Sequence, residues 1–366
     1  MRPFVLFLLL ACTLASFVVC SSVKNSAVSS SAKNSGRNGK KMQLINFFAG
    51  GAAGMVSSTI TTPLEVVKTQ LQSSTVSVRS PLKVAQMVLA REGVSGLFKG
   101  IKPMLVGIIP TRAIYFWSYS TSKSKIKEWQ GGKENALTHL CSAMTAGITS
   151  NTIMNPVWML KTRFQIMADT SKGQQDFKNY MDLIKAVYKE EGLGGFWKGL
   201  SASYVGCFEG AIQWIVYEKI KAISKDQRTA TLQASSTDKQ GKNVKVDVED
   251  KPLAPGTIFL QSAFAKAIAI VATYPHEVVR TRLREQATSG TFKYTGFMQT
   301  LNMIAKEEGR KGLYGGMDIH LFRSVPNAAI MFLSYELMAG YLETAVDKFQ
   351  AYKEGLQEKS AGKGNK

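Results

Sequence analysis

The feature that most constrains this chain is a threefold internal repeat. Three segments share one pattern: TTPLEVVKTQLQ (Thr61–Gln72), MNPVWMLKTRFQ (Met154–Gln165) and TYPHEVVRTRLR (Thr273–Arg284). In each, a proline is followed two residues on by an acid or a tryptophan, and five residues on by a base. Companion segments follow at matched distances: REGVSGLFKG ending at Gly100, EEGLGGFWKG ending at Gly199, and EEGRKGLYGG ending at Gly316. The prolines Pro63, Pro156 and Pro275 lie 93 and 119 residues apart. The longer interval contains a polar, charge-mixed insertion, residues 221–255, expected to form a flexible surface loop. Without it the unit is about 100 residues long.

Each unit reads as two long helices flanking a short one. In the first, Leu44–Gln72 opens on small residues (Gly50, Gly51, Gly54) that allow close helix approach, and Pro63 bends it. Pro81–Glu92 is a short amphipathic helix ended by Gly93, and Ile101–Lys123 is the second long helix. The same grammar recurs at Leu137–Gln165, Tyr180–Glu191 and Leu200–Lys221, then at Gly256–Glu285, Gly296–Glu308 and Met317–Leu342. Helices of about 20 to 30 residues can cross an apolar layer of about 30 Å. They carry Arg112, Glu209, Lys266 and Arg323, each costing several kcal/mol if it faced lipid, so each must face a partner or an aqueous cavity. A soluble helical repeat would also tolerate such charges. Proline at one register in all three units, and aromatics near helix ends (Trp117, Tyr119, Trp129, Trp214, Tyr217), favour the membrane. Mean hydropathy of −0.04 excludes uniformly apolar spans and fits helices with one polar face.

Residues 1–41 stand apart. Residues 1–20 have the form of a secretory signal or signal anchor, and residues 21–41 are basic, Ser-rich and free of acids, as in organellar transit segments or a plain linker. In tandem they resemble the bipartite presequences of plastids acquired by secondary endosymbiosis. The leader holds six of the net +20 charges, leaving +14 for the body, which suits anionic partners. A basic tail, residues 346–366, closes the chain. The body's cysteines, Cys141 and Cys207, lack metal-site spacing, as do His139, His276 and His320. No phosphate-binding Gly-rich loop or nucleophile–base pair marks an enzyme, and no recognition module marks a nucleic-acid binder. No cofactor or metal is expected.

The thrice-repeated Pro-x-acid-x-x-base, with its glycine-aromatic-basic-glycine companions, resembles the mitochondrial carrier family over residues 42 to about 342. The resemblance implies an all-α membrane protein. Six transmembrane helices from three repeats (42–130, 131–220 and 256–345) would form a pseudo-threefold barrel with short surface helices, alternately open to either side. The protein would act as a monomer in the mitochondrial inner membrane, although the leader hints at a plastid or other endomembrane envelope. One gate is a ring of ion pairs. In the family's order Glu65 meets Lys161 and Glu277 meets Lys68, while Arg280 loses its partner because Trp158 replaces the acid. Gln72 and Gln165 match the family's bracing glutamines, and Arg284 departs from them. The second gate retains one cross-helix pair, Lys123 with Glu336. Lys99, Gly100, Lys198 and Gly199 match cardiolipin-binding positions at helix N-termini.

Trp158 resembles the subgroup that carries NAD, FAD, folates and pyrimidine nucleotides. The stretches GLFKGIKPMLVGIIPTRAIYF, GLSASYVGCFEGAIQWIVYEKIK and HLFRSVPNAAIMF look most like the pyrimidine nucleotide carriers. The implied function is antiport of pyrimidine (deoxy)nucleotides, with a NAD, FAD or folate carrier as the alternative. The family's contact positions fall on Gly107 with Ile108, on Gly206 with Cys207, and on Arg323. The two glycines would leave room for a flat base, and Arg323 could grip phosphate. Lys266 and Arg112 each read either as phosphate ligands or as structural charges, with Glu209 the structural partner for Lys266. Glu209 could instead bind the base or carry a proton, and Gln213 and Trp214 face either ligand or lipid.

Overall fold

The computed structural model describes residues 37–76, 78–132, 134–166, 176–177, 179–235, 255–285 and 293–361. The helices are α1 (Arg37–Gln72), α2 (Pro81–Glu92), α3 (Ile101–Trp129), α4 (Ala136–Gln165), α5 (Tyr180–Glu191), α6 (Leu200–Ser235), α7 (Pro255–Thr273), α8 (Pro275–Leu283), α9 (Phe297–Glu307), α10 (Gly309–Leu313) and α11 (Met317–Ala361). No strand occurs among the described residues.

Six long rods make a ring. The first, third and fifth are α1, α4 and α7 with α8; between them stand α3, α6 and α11. Rods one to five pack in chain order, Met317 and Leu321 of α11 pack against the cluster around Tyr274, and α11 returns to α1 to close the ring. The short helices α2, α5 and α9 lie beside the ends of the odd rods and bury Val84 and Val88, Leu183 and Val187, and Ile304 respectively. This is the apolar stripe that an amphipathic helix must cover. Pro63 and Pro156 sit inside continuous helices, whereas Pro275 splits the fifth rod at Tyr274.

One expectation needs correction. The insertion is not a loop from its start: α6 continues to Ser235, and residues 236–254 lie outside the described residues. The tail is helical to Ala361. The first helix, α1, begins at Arg37, and residues 1–36 lie outside the described residues. In α6 and α11 a polar, Pro-free sequence supplies no breaker, so the helix runs on.

Among the described residues no helix is long and apolar enough to cross a membrane. The reason lies in how apolar residues are distributed. Large exposed apolar side chains occur on every rod, among them Ile60, Val106, Ile153, Ile215, Phe264 and Leu333. Charges on other faces interrupt each stretch when it is read linearly.

A gated cavity between the six helices

The odd rods converge at their proline-containing ends. Lys161 Nζ donates to Glu65 Oε1 at 2.6 Å, linking α4 to α1. Lys68 Nζ donates to Glu277 Oε2 at 2.5 Å, linking α1 to α8. Arg280 finds no acid on α4 and turns to Glu277 on its own helix. Trp158 occupies the vacant position, with the Lys161 ammonium 5.5 Å from its ring centroid. That is a cation–π geometry in place of a third ion pair.

Beneath this layer the residues four beyond each ring base lock the rods together. Gln72 Nε2 donates to the Tyr274 hydroxyl (3.0 Å), and Gln72 Oε1 accepts from Thr281 (2.8 Å). Gln165 Oε1 accepts from Thr69, and its Nε2 donates to the Lys99 carbonyl. Arg284, the departure, donates to the Trp158 carbonyl, Thr162 Oγ1 and Asn155 Oδ1. The arginine thus braces α4 with more donors than a glutamine offers.

A further layer was not anticipated. Two residues beyond each ring base, Gln70 donates to the Gln165 carbonyl, Arg163 to the Arg284 carbonyl and Arg282 to the Gln72 carbonyl. Each satisfies a terminal carbonyl on the next odd rod. Arg163 and Arg282 also pair with Glu191 and Glu308, the acids of the EEG segments. The repeated acid before glycine was the available signal for this layer.

The candidate lipid-binding lysines turn inward. Lys99 pairs with Glu92 (2.7 Å) and Lys198 with Glu191 (2.7 Å). Burial pushes the Lys198 ammonium's pKa down, and Glu191 opposes that shift. Gly100 and Gly199 adopt left-handed φ of 83° and 78°. A Cβ there would come 2.8 Å from the Gln165 side chain or 3.0 Å from Arg284 Nε. The Gly100 amide donates to the Tyr180 hydroxyl.

At the opposite end the expected pair is replaced by another. Lys123 does not meet Glu336; it pairs with Glu134 at 3.1 Å. The physical reason is proximity: Glu134 lies in the turn that follows Lys123's own helix and also holds Lys127, whereas Glu336 stands on α11. Hydrogen bonds from Lys123 and Lys127 hold the Glu134 carboxyl below its usual pKa.

Two pockets lie between the rods. One, about 760 Å³, is lined by Asn46, Gly50, Arg112, Phe116, Phe332 and Tyr335 on α1, α3 and α11. The other, about 600 Å³, includes Tyr115, His139, Cys207 and Trp214. Trp214 and Gln213 also line a smaller recess with Tyr217 and Ser262. Arg112 lies against the Gly50–Gly54 stripe, so those glycines accommodate a guanidinium as well as a helix.

The candidate contact positions are more occupied than expected. A Cβ on Gly107 would lie 3.1 Å from the Trp158 ring, and one on Gly206 would lie 2.7 Å from His276 Nε2. Neither glycine leaves an empty slot; in this conformation Trp158 and His276 fill the space. Ile108 faces Gly54, and Cys207 Sγ accepts from Asn151. Lys266 Nζ donates to Glu209 Oε1 at 2.6 Å, and Arg323 lies 3.7 Å from Glu65 Oε2.

The mitochondrial carrier protein family matches residues 40–129, 132–228 and 251–345. The chain belongs to the mitochondrial carrier family. This carrier is 39% identical over 319 residues to solute carrier family 25 member 36-A of Danio rerio, covering 81% of this chain and 96% of that one. It is 37% identical over 327 residues to the mitochondrial pyrimidine nucleotide transporter RIM2 of Saccharomyces cerevisiae, covering 80% and 85%. It is 35% identical over 329 residues to human solute carrier family 25 member 33, covering 83% and 97%. The carrier's six rods are its transmembrane helices, and the Lys161–Glu65 and Lys68–Glu277 pairs tie the odd ones together at one end.

Proposed function

We propose that the chain is an antiporter of pyrimidine (deoxy)nucleotides, working by alternating access through the central cavity. The observation that carries this reading is the likeness to RIM2, whose name states pyrimidine nucleotide transport, at 37% identity over 327 residues. The geometry agrees. A path bounded at one end by breakable ion pairs, with Arg112 and aromatic side chains on the walls of its pockets, suits a polyanion with a flat base. The protein is a transporter and catalyses no covalent step. Its gate members are Glu65, Lys68, Gln72, Trp158, Lys161, Gln165, Glu277 and Arg280.

The finer assignments follow from the same reading. The protein works as a monomer in the mitochondrial inner membrane. Anionic lipid of cardiolipin type binds at the helix N-termini that follow Gly100 and Gly199, with Lys99 and Lys198 held by carboxylates. The RIM2 name supports a mitochondrial address, and the relatives give no support to a plastid one.

Reconstituted liposomes loaded with UTP, CTP, TTP, ATP, NAD or folate decide the substrate. Exchange of pyrimidine nucleotides above the others is expected. Uptake of NAD or folate without pyrimidine exchange overturns the reading.

A further inference from the structure

The floor of the cavity holds more positive than negative charge. Glu65 serves Lys161 with one oxygen and faces Arg323 with the other. Glu277 serves Lys68 with one oxygen and Arg280 with the other. Two carboxylates therefore stand among four cations, and the imbalance sits where water is scarce and an unmatched charge is costly.

The four cations are not equivalent. Lys68 and Lys161 have side chains only 8% and 10% exposed, while Arg280 is 30% exposed. Arg280 is also the ring base whose acid position is filled by Trp158, and its salt bridge stays within its own helix. Arg323 Nε is buried and makes no hydrogen bond among the described residues. Both guanidiniums lie within electrostatic reach of Lys68 and His320, which places them on one floor.

We infer that Arg280, together with Arg323, binds the phosphate chain of the substrate, so that the transported anion supplies the third acid the ring lacks. The inference rests on the nucleotide reading above and extends it to a residue otherwise assigned only to the gate. A guanidinium on a di- or triphosphate makes parallel charge-assisted hydrogen bonds that an aqueous surface lysine would not. Phosphate on Arg280 and Arg323 competes with Glu277 and Glu65 for those groups. Phosphate binding thus rearranges the charges around Glu65 and Glu277, and a substrate can shift the equilibrium only as far as such contacts differ between the two states.

The test uses the full chain in liposomes, with two variants. Arg280→Gln removes the proposed ligand and leaves the Lys68–Glu277 pair in place. Its KM for UTP should rise about tenfold, equivalent to the loss of one strong contact, and its preference for UTP over UMP should flatten. Arg280→Lys should recover part of both. Trp158→Glu gives Arg280 a protein carboxylate, so UTP affinity should fall about tenfold while the unliganded protein melts higher. Melting curves with added pyrophosphate or inorganic phosphate separate capture of a free phosphate chain from capture of the nucleotide. An Arg280→Gln protein with wild-type KM and wild-type UTP-to-UMP preference overturns the inference. So does unchanged UTP affinity in Trp158→Glu if Arg280→Gln does not fold. Absence of nucleotide exchange by the wild type defeats the transport reading itself, and the wild-type trace alone reveals it.

Discussion

Arg79, in the connection after α1, pairs with Glu308 at the end of the third repeat's short helix. Glu308 also receives Arg282 at 2.8 Å. In the second repeat the corresponding acid, Glu191, holds Arg163 and Lys198. The third repeat has Gly315 where Lys198 would be, and a Cβ there would strike the Leu71 carbonyl at 2.8 Å and Arg79 Nη1 at 3.3 Å. The missing base is thus replaced by one from the first repeat, which ties the barrel's first and last units together.

Glu308→Gln should therefore destabilise the carrier by about 3 kcal/mol, because it leaves the fully buried Arg282 guanidinium with a weakened partner set. Arg79→Ala should cost less than about 1 kcal/mol, since that side chain is more than a third exposed. Thermal melts in detergent check both. Equal losses would contradict this division.

Acid should reveal the same contact. Burial raises the Glu308 pKa, but Arg282 and Arg79 outweigh it and hold it below the ordinary 4.5. A carboxyl depressed by folding stabilises above its unfolded pKa, and that stabilisation is lost as pH falls through the folded value. The wild-type melting temperature should exceed that of Glu308→Gln at neutral pH. The two should converge as pH drops below 4.5. A constant gap down the titration would refute the assignment.

Lys266→Ala should abolish nucleotide exchange while the protein still folds. Its ammonium bonds to Glu209 at 2.6 Å yet keeps 45% of its side chain exposed, so it has room for a second anion. Normal exchange kinetics would leave it a purely structural partner of Glu209.

Gly199→Ala should destabilise the closed end by about 2 kcal/mol or more. The left-handed backbone alone costs roughly 1–2 kcal/mol for a residue with a Cβ, and that Cβ would meet Arg284 and the Arg280 carbonyl. Gly194→Ala, where a Cβ meets nothing within 4 Å, is the matched control and should change little.

Much of the architecture was legible in the sequence because it depends on spacing. The proline register, the periodic apolar faces and the repeat length follow from residue order, and so do the short helices, whose ends at Pro81 and Glu92 or Tyr180 and Glu191 were read directly. The partners of Lys68 and Lys161 came from the pairing order that the family resemblance implies, and both pairs form. Helix ends were less legible. Nothing in residues 221–235 stops α6, and a helix persists wherever its backbone bonds form without a breaker.

What the tertiary structure decided is where each spare group goes. Lys123 takes Glu134, Lys99 and Lys198 take the acids of their own short segments, and Arg280 falls back on Glu277. Trp158 and His276 fill the places beside Gly107 and Gly206. Sequence spacing determined which charges exist and on which rod they ride. Pairing strength falls steeply with separation and rises as water is excluded, so the choice among competing carboxylates waits for the fold to set distances and burial.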